Sequence, residues 1–293
     1  MEKIAKFNLT NHLKNFLVVI KPGIIIGNVL TAVGGFTLAA KGVFDSWLFI
    51  AMLEGLSFII ASACVFNNVI DRELDKKMTR TQNRPLPKGA ISPKVALIFA
   101  FLLGIMGVLI LGLYTNLLTL IIALTGLVIY VFIYSFSKYK TSYGTLIGSI
   151  AGAVPPVVGY TAVSQRVDLA AIILFVMIAL WQMPHFYAIA IFRLEDYQKG
   201  SIPVLPLKRG ILATKIQMVF YCLAFMMVST LLAFFDYAAG PLYFVVMSLF
   251  GLAWLILSIQ GLTCKSDQEW ARKMFFFSLV IVIALCTLIS FNG

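Results

Sequence analysis

Charge is scarce in this chain. Asp, Glu, Lys and Arg make up 12% of its 293 residues, where a soluble domain carries about 25%. The four cysteines (Cys64, Cys222, Cys264 and Cys286) are scattered, and no pair has metal-ligand spacing. That excludes a cysteine-held metal site, and the thiols read as small membrane-core side chains. The basic N-terminal stretch runs on through polar residues to Lys21 without a short apolar segment and small-residue cleavage site, so no removable signal peptide is expected. What is abundant is apolar surface: 61% of residues are hydrophobic and mean hydropathy is +0.97.

Apolar runs long enough to cross about 30 Å of hydrocarbon recur along the whole length. They predict an all-α polytopic membrane protein forming a single integral-membrane domain over 1–293, with spans near 22–40, 47–67, 94–113, 117–136, 143–163, 169–191, 213–235, 240–260 and 272–291. Odd-to-even connections are short (Lys41–Ser46, Tyr114–Asn116, Ser164–Asp168, Asp236–Ala239). Even-to-odd connections are longer and polar, above all 68–93 and 192–212.

Placing the N-terminus in the cytoplasm puts 21 of the 23 basic residues on the cytoplasmic side, with only Lys41 and Arg166 outside. This is the positive-inside pattern. The expected location is the inner membrane, with the C-terminus on the outer side and the chemistry facing the cytoplasm. The net charge of +11 is then a property of topology, and nucleic acid is not an expected partner.

The loop after span 2 runs from Asp71 to Arg84-Pro85-Leu86-Pro87-Lys88-Gly89. The loop after span 6 runs from Asp196 to Val204-Leu205-Pro206-Leu207-Lys208-Arg209-Gly210. The similar acid-to-proline gaps suggest a four-helix unit used twice plus one extra helix, a kind of parallel repeat that membrane folds employ.

The richest segment is Asn68-Val69-Ile70-Asp71-Arg72-Glu73-Leu74-Asp75-Lys76-Lys77. If span 2 continues through it as a helix, Asn68, Asp71 and Asp75 fall at i, i+3 and i+7, within about 60° of one another. Two carboxylates and an amide oxygen on one face are hard donors suited to Mg²⁺, which binds through few carboxylates plus substrate phosphates. Arg72, Lys76, Lys77, Arg80 and Arg84 follow at once, as neutralising a metal-bound diphosphate requires. A solvated loop of mixed charge is the plain alternative. Against it, Asn67, Asn68 and Asp71 continue directly from an apolar helix, where polar groups are costly.

Other candidates are single residues. Asp196, in Arg193-Leu194-Glu195-Asp196-Tyr197-Gln198-Lys199-Gly200, would complete a second metal site, orient the first, or only balance a helix end. Tyr134 and Lys138 share a helical face at i, i+4, a phosphate grip or an interfacial Tyr with a snorkelling Lys. His185, in Trp181-Gln182-Met183-Pro184-His185-Phe186-Tyr187, lies inside span 6 beside a helix-breaking proline. It has three uses open to it: an iron ligand, a proton shuttle, or a partner for a carbonyl that Pro184 frees. Pro155-Pro156, after Gly148 and Gly152, marks a break and close packing in span 5.

Asn68-x-x-Asp71-x-x-x-Asp75 resembles the first aspartate-rich motif of the UbiA-type intramembrane prenyltransferases. The chain is similar to the haem-modifying branch of that family through several stretches. These are Lys21-Pro22-Gly23; Asn67-Asn68 through Met78-x-Arg80-Thr81-x-x-Arg84; Tyr143-Gly144-Thr145 through Ala153-x-Pro155-Pro156; Trp181-Gln182-Met183-Pro184-His185; and Asp196-Tyr197 through Ile202-Pro203-Val204-Leu205-Pro206. Many family members have a second Asp-x-x-x-Asp, whereas here Gly200 stands four residues after Asp196, a reduced form that the haem-modifying branch shares.

The resemblance implies farnesyl diphosphate and haem b as substrates, Mg²⁺ as cofactor, and oxidase-assembly or haem-handling proteins as partners within the lipid bilayer. Asn68, Asp71, Asp75 and Asp196 would hold the metal. Arg72, Lys76, Arg80, Arg84, Lys138, Tyr134 and Lys199 would meet the diphosphate, and His185 the haem. The rival readings are a prenyltransferase of the same family acting on an aromatic quinone precursor, a secondary transporter with a midplane site, and a structural subunit of an oxidase.

Overall fold

A computed structural model describes residues 9–234 and 240–291 of the chain. The expected connection Asp236–Ala239 and the basic residues Lys3 and Lys6 lie outside the described residues.

The elements are α1 (Leu9–Val19), α2 (Pro22–Ala40), α3 (Ser46–Asp75), α4 (Pro93–Tyr114), α5 (Leu117–Val128), a π-helical turn (Ile129–Tyr134), α6 (Ser135–Ser137), α7 (Gly144–Gly152) and α8 (Val154–Ser164). They continue with α9 (Leu169–Phe192), α10 (Leu194–Lys199), α11 (Leu205–Arg209), α12 (Ile211–Phe234), α13 (Gly240–Gln260), a 3-10 turn (Gly261–Thr263) and α14 (Asp267–Phe291). Among the described residues nine helical stretches are long and apolar enough to cross a bilayer. They coincide with the nine expected runs. One element escaped the sequence reading: the polar stretch before Lys21, to which no helix was assigned, contains α1.

Short polar side chains start the spans. Asp45 accepts the backbone N–H groups of Trp47 and Leu48 at 3.0 Å each. Asn116 takes that of Thr119 at 3.0 Å, and Asp168 those of Ala170 and Ala171. Each relieves donors that a helix leaves unpaired at its first turn. Ser92 does the same for α4, ahead of Pro93.

The spans pack as two linked groups. A large core joins α9 to α12, α13 and α14 around Met177, Phe225, Tyr243, Met247 and Trp254. A second joins α2, α3 and α8 around Phe36, Met52, Leu56 and Val158. α14 packs on both α9 and α2 and so ties the two together. The backbones of α2 and α8 approach closely at one glycine on each helix, Gly35 and Gly159. A Cβ at Gly35 would overlap the Pro156 carbonyl, and one at Gly159 the Ala32 carbonyl. The expected break in span 5 is present: the helix restarts after Ala153, immediately before Pro155. By contrast α9 runs unbroken through Pro184.

α3 positions the site. It has 30 residues, which at 1.5 Å per residue is about 45 Å. That exceeds the hydrocarbon thickness by about 15 Å, so its last turns emerge carrying the polar segment. A small third core (Val19, Val65, Leu86, Ile91, Ala96 and Ala100) anchors α1 and the loop that follows α3 against α3 and α4.

Candidate active site

α3 stays helical to Asp75, so Asn68, Asp71 and Asp75 share one stripe, and all three are buried. Asp71 accepts from the Lys138 ammonium at 2.6 Å and from the Tyr139 hydroxyl, which donates to its other oxygen. Asp75 is paired with Arg84 at 2.8 Å, and Thr81 donates to its backbone carbonyl at 2.9 Å. Arg84 therefore folds the loop back onto the helix that precedes it. Asn68 donates its amide to the Val19 carbonyl at 2.7 Å, while its Oδ1 is buried with no hydrogen-bond partner. An orphaned acceptor beside two carboxylates is the kind of buried polar atom that calls for a ligand.

Burial and charge oppose each other here. Burial holds the Lys138 ammonium below the usual lysine range, and the adjacent Asp71 carboxylate pulls it back up. Burial, reinforced by the Asp71 charge, raises the Tyr139 phenol. Tyr139 is therefore a hydrogen-bond donor at neutral pH. Beside this pair a second chain of contacts reaches the start of α2. Lys21 donates to Asn67 Oδ1 at 2.8 Å, Asn67 to Ser135 at 3.0 Å, and Ser135 to the Tyr130 carbonyl at 3.0 Å. Burial lowers Lys21 to about 8.

Two of these contacts were not foreseen. The i, i+4 reading paired Tyr134 with Lys138, and the Lys138 ammonium does lie 5.2 Å from the Tyr134 ring centre. The hydroxyl on Asp71, however, belongs to Tyr139. The π-helical turn shifts the register of the span and the helix ends at Ser137, so consecutive residues 138 and 139 both turn back to α3. A regular helix would have separated them by about 100°. In the sequence Lys21 stands out only as the end of the basic N-terminal stretch and as part of a short matching stretch. Nothing in the sequence places it 46 residues away on Asn67.

The remaining candidates fall in different places. Lys76 turns to Glu73, at 2.8 Å, on the exposed side of α3. Arg72 lies 3.5 Å from Glu73, with its Nε lacking a hydrogen bond. Arg80 is exposed and lies close enough to Tyr197 to counter the rise that burial causes in that phenol. Lys199 reaches Thr79 at 3.4 Å, and Gly200 packs on Met78, so the two long polar loops meet over the end of α3. Asp196 lies half-buried in the first turn of α10. Among the described residues no three His, Cys, Asp or Glu side chains converge as a metal cluster.

His185 is held apart from the carboxylates, between α9 and α14. Its Nδ1 lies 2.7 Å from the Ser278 hydroxyl. Its ring stacks on Trp181, with centroids 4.9 Å apart and planes 24° from parallel, and it lies 4.9 Å from Phe275. An apolar groove of about 280 Å³, lined by Ile59, Ser62, Phe66, Phe101 and Gly104, opens on the far side of α3 from Asp71, by the helical repeat.

Among the described residues, buried carboxylates are thus matched by lysine and arginine at one end of a bundle of membrane-crossing helices. The model of the UbiA prenyltransferase family matches residues 28–280, and the chain belongs to that family. It is 54% identical to the protoheme IX farnesyltransferase of Protochlamydia amoebophila over 94% of this chain and 98% of that protein. It is 49% identical to that of Edwardsiella ictaluri over 96% and 95%. Among solved structures it shares its fold with a digeranylgeranylglyceryl phosphate synthase at a TM-score of 0.80, 21% identity and 96% and 98% coverage. It also matches a UbiA homolog from Archaeoglobus fulgidus bound to GPP and Mg²⁺, with TM-score 0.69, 16% identity and 94% and 99% coverage. Membership of a prenyltransferase family sets aside the transporter and structural-subunit readings.

Proposed function

We propose that the protein transfers the farnesyl group of farnesyl diphosphate to a vinyl group of haem b, giving haem O and free diphosphate, with Mg²⁺ as cofactor. The observation that carries the transferase half is the pairing of Asp71 and Asp75, on one stripe of α3, with Lys138 and Arg84. The acceptor follows from near-full-length identity of about half to relatives named for this reaction.

The donor set fits the metal: two buried carboxylates and the orphaned Asn68 Oδ1 are hard oxygen ligands. Asp71 and Asp75 would hold Mg²⁺ with Asn68, and Asp196 would assist from α10. When bound, Mg²⁺ neutralises charge on the diphosphate oxygens. Lys138 and Arg84, now engaged with the carboxylates, exchange those partners for the diphosphate, and Tyr139 donates to it. Arg72, Arg80 and Lys199 add charge from the loops. Stabilising the departing diphosphate in this way is electrostatic catalysis. As the carbon–oxygen bond breaks, the bonding pair leaves with the diphosphate and an allylic cation remains. The vinyl π electrons attack it. The new cation, conjugated with the porphyrin, is captured by water with loss of one proton, which gives a hydroxyethylfarnesyl chain. Cys64, buried and seven residues before Asp71 on the same stripe of α3, would flank the farnesyl tail.

The enzyme would lie in the inner membrane, N-terminus inside, with the site at the cytoplasmic face, a reading that the distribution of basic residues supports. The haem-handling or oxidase-assembly proteins expected as partners would receive a product that stays in the bilayer.

The test is to incubate purified protein with haem b, farnesyl diphosphate and Mg²⁺, with and without chelator, and to read products by mass spectrometry. A Mg²⁺-dependent hydroxyethylfarnesyl haem is expected. Diphosphate release with an aromatic acid and none with haem would overturn the acceptor assignment while leaving the transferase.

A further inference from the structure

His185 and Ser278 form a hydrogen-bonded unit whose direction can be worked out. A serine hydroxyl has a single proton to give. The Ser278 Oγ lies 2.6 Å from the Phe275 carbonyl, which can only accept, so the proton is committed there. Towards His185, 2.7 Å away, the same oxygen must therefore accept, and the imidazole must carry its proton on Nδ1. That leaves Nε2 as a bare lone pair, and among the described residues the imidazole's hydrogen bond is the one at Nδ1.

Ser278 also fixes the ring plane. Its backbone carbonyl accepts the Trp181 indole N–H at 2.9 Å, and Trp181, one turn before His185, stacks on the imidazole. Phe275 and Phe186 close in around the same ring. One residue of α14 thus holds two side chains of α9 in register. Histidines that ligate metals characteristically donate their other ring N–H to an oxygen, which sets the tautomer and raises ligand basicity. The alternative use of the lone pair, as a base passing a proton onward, meets a dead end. The chain from Nδ1 through Ser278 stops at a backbone carbonyl.

Resting on the haem-acceptor reading above, we infer that Ser278 is a positioning residue for the porphyrin: it locks His185 in the Nδ1–H tautomer so that Nε2 is presented as a ligand to the haem iron. The aromatic wall of Trp181 and Phe275 keeps the imidazole from rotating as the porphyrin docks.

Haem b binding to the purified protein, with no farnesyl diphosphate present, is followed by titration and by resonance Raman of the ferrous complex. An iron–histidine stretching band is expected in the unaltered protein and absent in His185→Ala. In Ser278→Ala the band moves to lower frequency, because the imidazole loses its acceptor, and haem Kd rises by about 10–100-fold. Ser278→Thr, which keeps the hydroxyl, restores both. In turnover, Ser278→Ala raises KM for haem and leaves KM for farnesyl diphosphate unchanged. An unmoved band and Kd in Ser278→Ala would overturn the inference, as would a band that persists in His185→Ala. Farnesyl transfer by a protein that never shows an iron–histidine band would overturn it and leave the proposed reaction standing. Failure of the unaltered protein to farnesylate haem would instead remove the reading beneath it.

Discussion

The Asp71–Lys138 pair supports a quantitative experiment, because the same two groups bear on stability and, in the proposed reaction, on turnover. Their 2.6 Å separation corresponds to roughly 6 kcal/mol of attraction at an effective dielectric near 20. Each side chain is only about a tenth exposed, at 11% and 13%, so most of that attraction is offset by lost hydration. Removing one partner is different, since it strands the other charge, at a cost of about 3 kcal/mol. Asp71→Asn and Lys138→Met should each destabilise by about that much. The double variant, which buries no charge, should recover most of the loss and cost only about 1 kcal/mol, for a coupling energy of about 5 kcal/mol. Turnover should not recover. In the proposed reaction the Asp71 carboxylate would hold the metal and the Lys138 ammonium would meet the departing diphosphate, so kcat should fall at least about 100-fold in all three proteins. Unfolding in detergent, followed by loss of helical circular dichroism, reads the first quantity, and product formation at saturating substrates reads the second. Additive stability losses, with coupling below about 0.5 kcal/mol, would refute the buried-pair argument. Recovery of turnover in the double variant would refute the catalytic one.

Other outcomes follow from single features. Lys21 has a folded-state value of about 8, below the 10.5 of a free lysine, so the unfolded chain binds more protons between those values and stability should rise with pH across that window. Lys21→Met should raise stability at pH 7 and flatten the rise, as read by thermal unfolding between pH 7 and 10.5. Gly35→Ala puts a methyl group into the Pro156 carbonyl and should cost at least 1–3 kcal/mol, visible as a lower unfolding midpoint. Arg84→Met releases the loop from Asp75 and should speed proteolysis between residues 76 and 92 while lowering kcat.

The spans and the Asn68–Asp71–Asp75 stripe were legible because each depends on local periodicity. Runs of apolar residues have a length, and Asn68, Asp71 and Asp75 have a spacing, which α3 preserves by remaining helical. What escaped depends on departures from regularity or on distant contacts. Tyr139 reaches Asp71 only because a π-helical turn shifts the register before the helix ends. A helix-period argument selects Tyr134 instead. Lys76 was counted with the phosphate-binding cations because charge alone was visible, yet its nearest acid is Glu73 on its own exposed face. Ser278, an unremarked serine in the last span, gains meaning only from residues nearly a hundred positions earlier. α1 was missed because a helix of 11 residues is too short to register as a span.

The length of α3 has a consequence for what happens after reaction. A helix that outreaches the hydrocarbon by several turns places its carboxylates at the boundary between oil and water while its lower stripe remains in oil. For the proposed reaction the two products then belong to different phases: diphosphate departs into the aqueous side, and the prenylated porphyrin, more oil-soluble than its precursor, is retained in the bilayer. Separation by solubility draws the products apart as they form, so the geometry of one over-long helix would make the reverse encounter rare without any moving part.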